Sequence, residues 1–292
     1  MASLKDVKIK IGGVAKTKQI TKAMYMVASA RLRGAQSRIE RFRPYAEKFQ
    51  EILGDLAGKT GETDHPLLAP RAEVKTTGIV LITSDRGLCG GYNVNLIAAA
   101  LRLAADRRAQ GKETLFYCFG RKGRDAVRKL GFPLALEEIG QMNALDFSLA
   151  NKAGLRLMED YLGGVLDEVI LIYGAFISMA RQQPAALPLL PIVPAEASGG
   201  EERKIRQGYS YEPQEAALLA EMLPRFIKAQ IYRGLLDTSA GEHAARMTAM
   251  DNATRNCDEL VADLTLLYNK TRQAAITTEL IDIVGGVEAL KG

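Results

Sequence analysis

The stretch GIVLITSDRGLCGGYN at 78–93 places a continuous apolar run before three glycines, with a helical pattern beginning after them. An apolar run of this length, without polar alternation, predicts a strand buried on both faces. Glycines between a strand and a helix are also how many phosphate-binding loops begin. The pattern here is GxxGG, at Gly87, Gly90 and Gly91, whereas the dinucleotide fingerprint is GxGxxG with an acid closing the second strand. The second apolar run ends in Phe119-Gly120-Arg121, with no acid. The glycines are therefore expected to form a tight strand-to-helix turn and not a nucleotide cradle.

Outward from this loop the pattern repeats. Strands are expected at 78–83, 114–119, 135–139 and 168–173, with helices at 94–110, 121–131 and 146–163. Strand–helix alternation with apolar strands predicts a small parallel sheet covered on both faces. The stretch QQPAALPLLPIVP at 182–194 is expected to be an extended, proline-rich exit.

Both flanks predict long helices. Residues 3–57 are rich in Ala, Met, Leu, Gln, Lys and Arg and lack proline before Pro44, which is expected to bend the helix. Ile9, Gly13, Ile20, Met24, Val27, Ala28, Ala30, Gly34 and Ala35 suggest a stripe of small and apolar residues, and the helix is expected to end near 58–63. A second helix is expected over 212–288, with Pro213 at its first position. Its stripe Ile231, Leu235, Thr238, Glu242, Ala245, Ala249 slips to Ala253, then resumes as Leu260, Leu264, Leu267, Thr271, Ala274, Thr278, Ile281. The mean step in each series is the coiled-coil repeat, and such a slip changes the local winding. Pro224, Gly234 and Gly241 weaken the helical signal in the first third. Neither stripe is wide enough to stabilise a lone helix, so the two ends are expected to pair antiparallel, leaving the far end of the second helix single or enclosed by something else.

Other chemical signals are weak. GDLAGKT at 54–60 has three residues between its glycines where a Walker loop needs four, and it comes after a helix. Cys89 lacks a base nearby in sequence, since His65 and His243 are the only histidines. Glu137-Glu138 and Glu201-Glu202 are adjacent carboxylates that do not face one another across a site. Cys89, Cys118 and Cys257 form no CxxC pair, which points to a reducing compartment without disulfides or a zinc site. No run approaches a membrane span, and the N-terminus has no apolar signal-peptide core. Charge is uneven. Residues 1–50 hold twelve Lys or Arg against three acids, while the whole chain of 292 residues sums to only +5. A basic arm on an otherwise acidic chain predicts an anionic partner. The readings left open are a coiled-coil shaft with an α/β domain, a nucleotide-binding enzyme with a helical arm, and a basic nucleic-acid module.

Three motifs in order decide among them. ITKAMYMVASARLR at 20–33, SDRGLCGGYN at 84–93 and ARMTAMDNAT…LYNKTRQAAITTELIDIVGG at 245–286 resemble the gamma subunit of F-type, proton-translocating ATP synthase over essentially the whole chain. The resemblance implies an α/β protein: a long antiparallel two-helix coiled coil from the terminal segments (1–60 and 211–288) plus a central Rossmann-like α/β domain (74–195). It implies a non-catalytic central rotor shaft that couples ion flow to ATP synthesis or hydrolysis, with the chemistry in the beta subunits and no cofactor or metal held by this chain. The implied partners are the alpha, beta and epsilon subunits and the c-ring, one copy per complex. Nucleic acid is not among them. Membrane contact would come only through the complex, on the cytoplasmic side of a bacterial inner membrane. The residues implied for partner contact or coupling are Lys22, Met24, Arg86, Glu242, Arg246, Arg272, Gln273, Thr277, Glu279 and Asp282. An apolar sleeve is expected from Leu280, Ile281, Ile283, Val284 and Val287.

Overall fold

The computed structural model describes residues 3–60, 65–142, 145–192 and 215–290. Pro213, Glu201-Glu202 and the end of the GKTGET stretch at 61–63 lie outside the described residues. The chain divides into two compact units, one of residues 30–245 and one of residues 1–29 with 246–292.

Within the 30–245 unit, five strands form one sheet: β1 (Thr76–Ile82), β2 (Glu113–Phe119), β3 (Leu134–Glu138), β4 (Glu168–Phe176) and β5 (Gln182–Leu190). Three crossover helices join the first four: α2 (Tyr92–Ala109), α3 (Arg121–Lys129) and α4 (Phe147–Leu162). The strand order is β3-β2-β1-β4-β5. β1 to β4 are parallel, as the apolar runs require, but β5 pairs antiparallel with β4. The expected proline-rich exit is therefore the sheet's edge strand. An edge strand is where a missing amide donor does least harm, so Pro184 and Pro188 can sit in it.

Alternate residues of β1 enter two cores. Ile79 and Leu81 pack with Leu96, Ala100, Cys118 and Val127 under α2 and α3. Val80 and Ile82 pack with Tyr117, Phe119, Leu157 and Tyr161 on the α4 side. That second core also takes in both terminal helices, α1 (Leu4–Thr60) through Phe49 and Leu53, and α5 (Glu215–Ala289) through Leu223, Ile227, Ile231 and Leu235. Here the two helices run antiparallel: Phe42 stacks edge-on to Tyr232, and Phe49 on Phe226.

The glycines that weakened the helical signal have a packing reason. A Cβ on Gly234 would stand 3.1 Å from Leu171 and 3.2 Å from Ile82, so the missing side chain lets α5 lie close on the sheet. One residue type thus lowers helix propensity by about 1 kcal/mol and gains close contact with the sheet in return.

In the other unit the ends of α1 and α5 are also antiparallel. Thr21 and Thr254 share a hydroxyl hydrogen bond of 2.8 Å, and Lys18 pairs with Asp258. The inward face of α1 runs through Leu4, Val7, Ile11, Val14, Lys18, Thr21, Tyr25 and Ala28, in steps of three and four, with Met24 and Ser29 half-buried beside it. Of the expected α1 stripe, Ile9, Gly13, Ile20, Val27, Ala30 and Gly34 are instead exposed. On α5 the inward face runs through Met250, Ala253, Cys257, Val261, Leu264, Tyr268 and Thr271. Leu260 and Leu267 of the expected series are exposed. The physical reason is that the slip after Ala249 continues, through steps of four at Ala253, Cys257 and Val261, before the seven-residue repeat returns. The choice between Leu260 and Val261 depends on the partner helix and not on hydrophobicity. From Arg272 onward every residue of α5 whose side chain is described is exposed.

Candidate functional site

In an open sheet with helices on both faces, ligands bind beyond the carboxyl ends of the strands, where the loops diverge. Here that edge is filled by the chain itself. The Asp85 carboxylate accepts hydrogen bonds from the amides of Arg121 (3.0 Å), Gly140 (2.9 Å) and Met142 (3.3 Å). One side chain on the first loop thereby ties down the loops after β2 and β3. The next amides of α3 are also satisfied, Lys122 by the Ser84 carbonyl and Gly123 by the Thr83 hydroxyl at 2.8 Å. These N-terminal donors are the groups an anionic phosphate needs. Asp85 occupies the place of that anion.

The glycine loop is knotted from inside. The Asn93 amide group donates to the Arg86 carbonyl and to the Cys89 sulfur, while its oxygen accepts from the Ser84 amide and hydroxyl. The knot holds the loop's tip outward. Arg86 is exposed, and Leu88 is exposed at 64% with a left-handed φ of 64°. A leucine in that conformation is uncommon, and such strain persists only where surrounding bonds over-determine it. Sequence reasoning missed Leu88; an apolar residue between two glycines of a turn was its only signal.

We expect Asp85→Ala to destabilise the 30–245 unit by about 2–4 kcal/mol, since three amides lose an ionised acceptor. Urea unfolding of the full chain measures it. A loss below about 0.5 kcal/mol, typical of a surface change, would show that water replaces the carboxylate at no cost.

The loop also fastens to α5. Tyr92, which opens α2, passes its ring between Gly174 of β4 and Gly241 of α5 and donates its hydroxyl to the Thr238 carbonyl (3.0 Å). The Thr238 hydroxyl accepts from the Gly174 amide (3.1 Å). A Cβ on Gly174 would stand 1.9 Å from the Tyr92 hydroxyl, and one on Gly241 2.6 Å from it. Burial and the neighbouring Glu242 carboxylate push the Tyr92 hydroxyl's pKa well up, so it stays a neutral donor. Around this latch α5 is buried on every face from Thr238 to Ala244, including Glu242 at 3% and His243 at 4% exposure. The buried Tyr92–Thr238–Gly174 contact fastens the loops beyond the strand ends, which form a collar, to α5 at Thr238.

Comparison with known proteins decides what this arrangement belongs to. A family profile described as ATP synthase matches residues 3–290. The ATP synthase gamma chain of Nitratidesulfovibrio vulgaris (strain Miyazaki F) is 63% identical over 293 residues, covering 100% of both chains. That of Lawsonia intracellularis is 57% identical over 291 residues, again with 100% of each covered. Among solved structures, a chain from the central stalk and c-ring of the Tetrahymena thermophila mitochondrial ATP synthase matches with a TM-score of 0.58 and 25% identity, over 80% of this chain and 99% of that one. The chain belongs to the ATP synthase gamma-chain family.

A gamma chain is the central-stalk rotor of its complex, and the ATP chemistry lies in the beta subunits. The glycine loop is fastened to α5 through Tyr92, and the α3 amides beside it are already taken up. No helix among the described residues is long and apolar enough to cross a membrane. The three cysteines are buried and form no disulfide.

The expected contact residues of this gamma chain are divided between the two units. Arg86 and Glu242 lie in the 30–245 unit; the other eight lie in the unit made of the chain ends. Lys22 is exposed and Met24 half-buried on α1. Arg272, Gln273, Thr277, Glu279 and Asp282 are all exposed on the last turns of α5, where the Thr277 hydroxyl donates back to the Gln273 carbonyl (2.9 Å). Glu242 and Arg246 are buried, at 3% and 9% exposure.

Proposed function

We propose that this gamma chain transmits torque by pressing the exposed end of α5 and the collar loop against the ring of alpha and beta subunits, with its foot on epsilon and the c-ring. The observation that carries this reading is the run of α5 from Arg272 to Ala289. Every described side chain in it is exposed, and these include Ile276, Leu280, Ile281, Ile283, Val284 and Val287. Exposed apolar side chains at this density mark a surface that another protein covers. Apolar contact is non-directional, so a sleeve around it holds the helix without latching it at one angle.

Polar contacts supply the angle dependence. Arg86 on the collar tip and Arg272, Gln273, Thr277, Glu279 and Asp282 on the helix end would meet different beta subunits at different rotor angles. A partner shifts an equilibrium only through differential binding, so contacts that differ between angles bias which catalytic site is closed. Lys22 and Met24 would face the lower beta lobes, where Met24 keeps the surface uncharged beside the basic helix. Glu242 and Arg246, buried in this chain, serve this reading as positioning residues that hold α5 in place. One copy per complex, peripheral to a bacterial inner membrane on its cytoplasmic side, belongs to the same reading.

The test is Met24→Lys in the complex reconstituted into vesicles. We expect ATP hydrolysis within about twofold of the parent and protons pumped per ATP reduced severalfold, because an added ion pair stabilises one rotor angle over the others. An unchanged pumping ratio would overturn Met24's role. The isolated full chain is expected to bind neither ATP nor NAD measurably; saturable binding of either would favour the nucleotide-enzyme reading.

A further inference from the structure

One preformed cavity in the 30–245 unit takes no part in the collar, the Tyr92 latch or the exposed shaft end. It measures about 130 Å³ and is lined by Ile39, Phe42, Arg43 and Ala46 of α1, Phe176 at the end of β4, and Arg233, Leu236 and Asp237 of α5. An apolar cavity of about 150 Å³ takes one benzene molecule, so this one has room for a single ring or a short branched chain. Its apolar wall is fixed: the Phe42 ring lies 5.1 Å from Tyr232 and 5.5 Å from Tyr45. Its polar wall is unusual. Asp237 is half-buried within electrostatic reach of both guanidiniums, and burial pushes its carboxyl up to about 6. Neither Arg43 nor Arg233 makes a hydrogen bond or close ion pair with a described residue. Two planar cationic forks, both on exposed residues, therefore line the cavity beside one carboxyl and opposite its apolar wall.

We propose that this cavity binds a small amphipathic monocarboxylate, with its ring or alkyl group among Phe42, Phe176 and Leu236 and its carboxylate between Arg43 and Arg233. The charge balance selects the occupant. Two cations against one acid leave the site net positive, so an anion gains and an amine of the same shape is repelled. Planar guanidiniums match a carboxylate in two parallel hydrogen bonds, which a neutral alcohol cannot reproduce. An apolar body with a few convergent polar groups is the usual composition of a small-molecule site.

Asp237 sets the pH response. The groups facing it are Arg43 from α1, Arg233 on its own helix, and Tyr173 of β4, whose hydroxyl burial keeps neutral. Protonation of Asp237 removes the one like charge, so binding tightens as pH falls through about 6 while the ligand stays ionised.

The test is a titration of the full-length chain with benzoate, benzyl alcohol and benzylamine, monitored by saturation-transfer NMR. We expect benzoate to saturate with Kd on the order of 1 mM, and both other probes to bind at least about fivefold more weakly. Arg43→Gln and Arg233→Gln should each weaken benzoate about fivefold or more, and Ala46→Phe, which fills the cavity, should abolish it. Asp237→Asn should instead tighten benzoate severalfold and flatten its dependence between about pH 5.5 and about pH 7.5. That gain cannot come from a misfolded variant. Benzoate that fails to saturate, that binds the Ala46→Phe chain equally, or that is outcompeted by benzylamine would overturn the proposal, as would an Asp237→Asn chain that binds more weakly.

Discussion

Gly120→Ala is expected to leave the chain unable to hold its α/β unit, with a loss of about 4 kcal/mol or more. Gly120 comes directly after β2 with φ of +89°, a conformation that side chains rarely adopt. A Cβ there would stand 2.1 Å from the Thr83 carbonyl oxygen and 2.9 Å from its hydroxyl. Thr83 cannot retreat. Its amide donates to the Phe119 carbonyl at 2.8 Å, and its hydroxyl caps Gly123 at 2.8 Å. The clash is therefore with fixed backbone and not with the end of a flexible side chain. Gly131→Ala is the matching control, since it also has positive φ (+75°) but nothing within 4 Å of the added carbon. It should cost about 1–2 kcal/mol from backbone strain alone. Urea unfolding of the three full chains separates the terms, and equal losses at the two sites would refute the close-approach argument.

The second large effect is functional. Cutting the chain after Val261 is expected to reduce ion-driven ATP synthesis by the complex to background while leaving the α/β unit folded. Both hydrophobic cores of that unit are built from residues no later than Ala245. The lost segment is mostly exposed in its own unit and adds little to the chain's own burial. Far-UV circular dichroism should show a lower helix signal, with the cooperative melt of the sheet unit kept. Synthesis at the parental rate would remove α5's end from torque transmission. Loss of the melt would show that the helix end stabilises more than itself.

The four parallel strands, their helices and the two long terminal helices were legible because each has a strong local signal. GIVLIT and EVILIY are apolar runs too short for buried helices, and the α1 and α5 segments are long stretches of helix-forming residues. The antiparallel strand β5 was not legible. Pro184 and Pro188 argue against a strand unless the strand is known to lie at an edge, and only the sheet can say so. The inward faces of the helices were legible in part. Ile231, Leu235, Thr238 and Glu242 do turn inward, whereas Ile9, Ile20, Leu260 and Leu267 do not. Ile and Val at neighbouring positions are equally apolar, so the choice falls to the helix lying opposite. Asp85 gave no signal, because one aspartate in a loop looks like a solvated charge until three amides from two other loops converge on it.

By itself the sequence determined the kinds of element other than β5, their order, and the family, since periodicity, run length and motif spacing are local properties of the chain. The tertiary structure alone decided that the glycine loop holds its own carboxylate in place of a phosphate, that Gly234 and Gly241 serve close approach, and which stripe of each helix is buried. Those facts depend on atoms brought together from segments tens or hundreds of residues apart, and no local pattern encodes such a meeting.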